Sequence, residues 1–137
     1  TGVDNPLQVA AHAYSQQVLL GETILQAKTT PKFERAKSVT FNDRQLIYIS
    51  GTAAIRGEKS MTGVDIERQF HITMENIEQL ISGAQLNMLR VYLKHPSDYG
   101  VVVDLLKKAG LSIPISYLRA DVCREELLIE IEGIASK

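Results

Sequence analysis

At 137 residues the chain has the length of one domain, enough to bury a core without disulfides or metals. With 45% apolar and 23% charged residues it falls outside the disordered and collagen-like classes, and a net charge of −1 argues against a nucleic-acid partner, which a general positive field would gather. Cys123 is the single cysteine, no apolar run approaches the ~18 residues of a membrane span, and the N-terminus lacks a signal-peptide pattern, so the expectation is a cytoplasmic protein without membrane contact.

Residues 1–32 hold no period. Gly2, Pro6, Gly21 and Pro31 punctuate them, and 9–14 is the strand-like stretch. Residues 35–41 and 46–55 are rich in β-formers around the turn chemistry of Asn42-Asp43, which predicts a hairpin. After a loop marked by Gly57 and Gly63, Asp65 caps a helix whose Ile66, Phe70, Met74, Ile77, Leu80 and Ile81 form one apolar stripe, ended by Gly83. Residues 88–94 alternate as a strand. Pro96 and Ser97 open a second helix, buried through Val101, Val102, Leu105, Leu106 and Ala109 and stopped by Gly110. Two strands close the chain, about 115–123 and 127–134. The expected fold is α+β: one domain over 1–137, a mixed β-sheet with both α-helices packed on one face.

Side chains alternate across a strand, so each strand sorts into two faces. Leu118, Ala120, Val122, Leu127, Ile129 and Ile131 make an apolar set, and Tyr117, Arg119, Asp121, Cys123, Glu130 and Glu132 a polar one. Leu89, Val91 and Leu93 divide likewise from Arg90, Tyr92 and Lys94, and Ile47, Ile49 and Gly51 from Tyr48, Ser50 and Thr52. If the last two strands form a hairpin about Glu125-Glu126, Asp121 faces Glu130 and Arg119 faces Glu132. All of Arg119, Asp121, Cys123 and Glu130 then point away from the helices. Two carboxyl groups side by side do not both ionise cheaply, and an arginine beside them offers a fork for a substrate carboxylate. Solvated ion pairs on an open sheet face are the plain alternative. His12, His71 and His95 lack metal-ligand spacing, Ser50 lacks a nucleophile elbow, and no phosphate-cradling loop is present, so neither a metal nor a cofactor is expected.

Several segments are similar to a known family. Tyr48-Ile49-Ser50-Gly51-Thr52, Gln69, Asn76, Arg119 and residues 129–135 resemble the Rid family, also called YjgF-type or L-PSP endoribonuclease-type. The resemblance implies a chorismate-mutase-like fold, a homotrimer with pockets between subunits and, in one branch, imine or enamine hydrolysis. There, an arginine at the position of Arg119 holds the substrate carboxylate and a glutamate at that of Glu130 handles the water. Asn5-Pro6-Leu7-Gln8-Val9, Phe33-Glu34-Arg35-Ala36, Ile49-Ser50-Gly51-Thr52-Ala53 and residues 121–133 resemble, nearly end to end, the C-terminal half of chorismatases, which cleave the enolpyruvyl ether of chorismate. With Thr1 as its first residue, the chain reads as the C-terminal domain of a longer protein. The resemblance implies Glu130 as general acid/base, Arg119 as carboxylate anchor and Cys123 as pocket lining, and the expected site adds Ser50, Gly51 and Thr52 as a polar wall and Asp121 as a substrate-binding group on the same face. Imine deamination and a non-catalytic ligand-sensing or scaffolding trimer are the alternatives.

Overall fold

A computed structural model of the chain describes residues 35–56, 59–60, 65–122 and 124–137. The strand expected over 9–14 and the Cys123 side chain lie outside the described residues. In chain order the elements are strands β1 (Ala36–Phe41), β2 (Arg44–Thr52), β3 (Ile55–Arg56) and β4 (Lys59–Ser60), helix α1 (Ile66–Ile81), strand β5 (Gln85–Leu93), a 3-10 turn (Pro96–Asp98), helix α2 (Tyr99–Lys108), and strands β6 (Ile115–Arg119) and β7 (Ile129–Ser136).

The expected first hairpin forms as read. Phe41 pairs with Arg44 across Asn42-Asp43, and Asn42 adopts φ 51°, a left-handed conformation that asparagine tolerates. Asp65 caps α1, accepting the Arg68 N–H at 2.9 Å, and the left-handed Ser82 and Gly83 end the helix. Phe70, Ile77, Leu80 and Ile81 bury the expected stripe against the sheet. Ile72 is buried on another side, in a second cluster with Ala53, Ala54, Ile55, Val122 and Leu127. Helix α2 buries Val102, Leu105 and Leu106, while Val101 and Ala109 face outward. The result is the expected α+β arrangement, a mixed five-stranded sheet and two helices.

The sheet order is β1-β2-β7-β5-β6. This corrects the expected closing hairpin: β6 and β7 do not pair, because β5 lies between them. Strands β5 and β6 are joined through α2, a crossover that makes them parallel and leaves β6 at the edge. Strand β7 turns back into the middle, antiparallel to both β2 and β5, where Ile129, Ile131 and Ala135 are fully buried. Gly133 lets it lie close to β5, since a Cβ there would stand 2.6 Å from the Met88 carbonyl oxygen, beside a register shift in β5.

Two buried carboxamides of α1 hold the chain on either side of the site. Gln69 (1% exposed) donates through Nε2 to the Glu126 carbonyl at 3.1 Å and accepts the Leu128 N–H through Oε1 at 2.8 Å. Asn76 donates through Nδ2 to the Ala53 and Ile55 carbonyls at 3.0 and 2.9 Å. The first amide sets the entry into β7 and the second the exit from β2. In a Gln69→Leu variant a backbone N–H and a backbone carbonyl lose their partner, so urea denaturation should show a loss of about 2–4 kcal/mol. A midpoint equal to that of the wild type would remove the clamping role.

Candidate functional site

The pairing registers assign every side chain of the central strands to a face. Tyr92 faces Glu130 and Arg90 faces Glu132 across β5 and β7, while Tyr48 faces Ile134 across β2 and β7. These groups share the face opposite the helices. Ile129, Ile131, Leu93, Val91, Ile47 and Ile49 share the other and are buried in the core. Glu130 therefore points away from the helices, as its alternation in the sequence predicts.

Strand β2 bulges where it meets Glu132. Ile49 pairs with Gly133 and Thr52 with Ile131, so Ser50 and Gly51 together oppose one residue. Glu130 packs onto this bulge. A Cβ on Gly51 would stand 2.8 Å from the Glu130 carboxyl carbon and 3.0 and 3.2 Å from its oxygens, so glycine gives the carboxyl its place. The bulge also corrects the expected alternation of β2. Thr52 lies on the helix side, fully buried, and its hydroxyl donates to the Ser50 carbonyl at 2.9 Å. Its part is to brace the bulge from behind, while Ser50 and Gly51 stay with Glu130.

Two glutamates stand side by side on β7 but in different surroundings. Glu132 accepts from the Arg90 guanidinium and, at 2.7 Å, from the Tyr92 hydroxyl. Glu130 is half-buried and carries a proton to higher pH than an ordinary carboxyl. Burial is the main cause and the Glu132 charge adds to it, while the Arg35 guanidinium works against both. The second carboxylate of the pair is thus Glu132 and not Asp121, which is exposed in the loop after β6.

Arg119 is placed elsewhere. Strand β6 pairs in parallel with β5, Leu93 facing Arg119 and Tyr92 facing Leu118. Its odd-numbered residues are therefore on the helix side: Tyr117 packs on the core and meets the Tyr99 ring of α2 edge-on, the centroids 5.1 Å apart. Arg119 rims an open groove of about 470 Å³ that it lines with Leu93, Pro96, Tyr99, Tyr117 and Leu118. Leu118, expected on the buried face, is 42% exposed. Within the chain Arg119 and Glu130 thus occupy opposite faces of the sheet. The expectation that both point the same way fails because it rested on a hairpin that does not form.

Arg35 was not among the expected site residues, although its position follows from the first hairpin. Ala36 pairs with Ile49 on the core side, so the residue before it falls opposite Ser50 on the Glu130 face. The Ser50 N–H donates to the Arg35 carbonyl at 3.0 Å.

No family model matches the chain. It is 28% identical over 151 aligned residues to a 3-hydroxybenzoate synthase of Streptomyces hygroscopicus, covering 96% of this chain and 42% of that protein. A chorismatase of Streptomyces rapamycinicus is 26% identical over 98% of this chain and 43% of its own length. The chain therefore spans about two-fifths of the length of these curated relatives. Among solved structures, a chorismatase superposes with a TM-score of 0.77 at 23% identity, over 98% of this chain and 43% of that one. A putative L-PSP endoribonuclease from Entamoeba histolytica gives 0.71 at 20% identity, over 100% of this chain and 98% of that one. The YjgF gene product of E. coli gives 0.62 at 17% identity, over 80% and 90%.

Because the folded state binds the Glu130 proton more tightly than the unfolded state does, ionising this group costs stability. The cost is absent below the unfolded carboxyl range and grows as pH rises through the folded value. Glu130→Gln removes the charge, so the variant should melt at or above the wild-type temperature at pH 7, with the difference shrinking toward pH 4. Melting curves recorded from pH 4 to 8 in which the variant is the less stable protein at pH 7 would contradict this.

Proposed function

Since the chain is related to the Rid-like superfamily by its fold and by its sequence kinship with chorismatases, we propose that it forms part of a cofactor-independent hydrolase for a carboxylate-bearing substrate such as chorismate. The observation that carries this reading is the half-buried Glu130 seated on the Ser50-Gly51 bulge, with its proton held above the ordinary carboxyl range. Enol ethers hydrolyse by protonation of the terminal alkene carbon, which is slow in water and suits a positioned acid of raised pKa. In this mechanism Glu130 gives its proton to the enolpyruvyl methylene carbon and water adds to the resulting oxocarbenium carbon. The hemiketal then collapses by cleavage of the bond between its carbon and the ether oxygen, which stays on the ring and takes up the hemiketal hydroxyl proton, releasing pyruvate and the ring alcohol. The proton that water loses returns to the carboxylate. Ser50 and the Gly51 backbone form the polar wall beside it.

The substrate carboxylate is assigned to Arg119. Because Arg119 and Glu130 lie on opposite faces of one protomer, a single substrate meets both only if one comes from another copy. A homotrimer with pockets between subunits, as the family resemblance implies, supplies that arrangement. The exposed Leu118 and Tyr48 on the open face are surfaces such an assembly would cover.

Incubation with chorismate should release pyruvate, detectable by coupled reduction. Glu130→Gln should keep the fold and lower turnover by about 10²–10⁴-fold. Release of ammonia from enzymatically generated 2-aminoacrylate, without pyruvate release from chorismate, would favour an imine deaminase instead. Ligand binding with no turnover on either substrate would favour a sensing role. Mixing inactive Arg119→Ala and Glu130→Gln chains under exchange conditions should restore part of the activity, because some mixed pockets then hold both wild-type groups. Absence of any recovery would count against a site shared between subunits.

Gly51→Ala gives a separate check. Its new methyl meets the flexible end of Glu130, so the protein should stay folded within about 1 kcal/mol while the carboxyl is displaced and turnover falls by roughly tenfold or more. Full activity in this variant would show that the seat on the bulge is not needed.

A further inference from the structure

A carboxylate brought against Glu130 enters a place that already holds two acidic groups, Glu130 and Glu132, and a cation must meet it there if it is to bind well. The register sorts the candidates. Arg119 is on the other face of the same protomer, and Arg90 stands across from Glu132, two residues along β7 from Glu130. Lys37, across from Tyr48, is exposed and lies further along the hairpin, away from the bulge. Arg35 is different. It stands immediately before β1 on the Glu130 face, is half-buried, and has its backbone tied by the Ser50 N–H to the bulge on which the Glu130 carboxyl sits.

We infer that Arg35 is an anion anchor of the Glu130 site, its guanidinium receiving a substrate carboxylate beside the catalytic carboxyl. This rests on reading the open face as a carboxylate-binding site. It makes that site selective for a substrate with two carboxylates, one for Arg35 and one for Arg119 of a neighbouring copy, and chorismate carries two. A planar, permanently charged fork is the group suited to this task.

The anchor also couples binding to proton transfer. The titratable and polar groups on the Glu130 face are Glu132 on its own strand, Tyr92 and Arg90 on β5, Ser50 and, further along, Tyr48 on β2, and Arg35 and the more distant Lys37 from the β1 side. Of these, Glu132 opposes ionisation of Glu130 and Arg35 favours it. A carboxylate arriving at Arg35 occupies the favourable cation and adds a second negative charge nearby. Both effects load a proton onto Glu130 at the moment the acid is needed.

The test uses the full chain and isothermal titration. In the Glu130→Gln background, where chorismate turnover is slowed enough for titration, adding Arg35→Met should weaken chorismate binding at least about tenfold, the worth of a charge-assisted pair, whereas Arg35→Lys should recover part of the loss. Should Arg35→Met fold poorly, Arg35→Gln carries the same expectation. Titration of the wild type with 3-hydroxybenzoate at pH 6, in two buffers of different ionisation enthalpy, should show proton uptake that Glu130→Gln abolishes. Unchanged chorismate affinity in both neutral Arg35 variants, or the same proton uptake with and without Glu130, would overturn the inference. Failure of the hydrolase reading is separately visible: the wild type would release no pyruvate, whatever the Arg35 variants do to binding.

Discussion

The placement of β7 between β2 and β5 is the constraint from which the rest of the structure follows. A strand in the middle of a sheet is hydrogen-bonded along both edges, and β7 adds a helix-side face of Ile129, Ile131, Gly133 and Ala135 that is entirely buried. Moving it by one residue would bring Glu130 and Glu132 under the helices, where an unpaired carboxylate costs several kcal/mol. The register is therefore rigidly determined. The same restriction aims both glutamates at the open face and puts them in line with Tyr92 and Arg90.

Around this strand the protein uses local irregularity to create a site. The bulge at Ser50-Gly51 removes a side chain where the Glu130 carboxyl comes to rest, and it sends Thr52 behind the sheet to bond back to the bulged backbone. The loops entering β7 and leaving β2 carry backbone groups that helix α1 satisfies through the buried amides of Gln69 and Asn76. Buried polar groups of this kind are tolerable only when paired, and pairing them fixes the loops as a consequence. The site is thus built on rigid elements and not on mobile connections.

The same sheet separates two chemical groups that sequence neighbours and family resemblance would join. Arg119 stands at the edge, above a groove lined by the Tyr99–Tyr117 pair, and Glu130 stands near the centre of the other face. A strand only ~5 Å from the next is still an impassable wall to a side chain on its far side. No single chain brings these two groups together, whereas Glu130, Arg35 and the bulge share one face of it.

How much of this was legible in the sequence depends on the range of the interactions involved. The hairpin about Asn42-Asp43, the capped stripe of α1, the two helices on one face and the outward direction of Glu130 follow from alternation, helical period and turn chemistry, all of which act between near neighbours in the chain. The position of Arg35 was equally legible, because a two-residue turn sets every pair of that hairpin, but it required counting back beyond the last apolar residue. The partner of β7 was not legible. Residues 115–134 have the pattern of a hairpin, and alternation says which residues share a face within a strand, never which strand lies alongside. That choice fell to the parallel β5–α2–β6 crossover, which sent β6 to the edge and reversed the expected facing of Arg119 and Leu118. The sequence by itself determined the elements and the face each residue takes within β7. Only the tertiary structure decided which strands are neighbours, because strand adjacency is set by long-range burial and hydrogen bonding along the whole sheet.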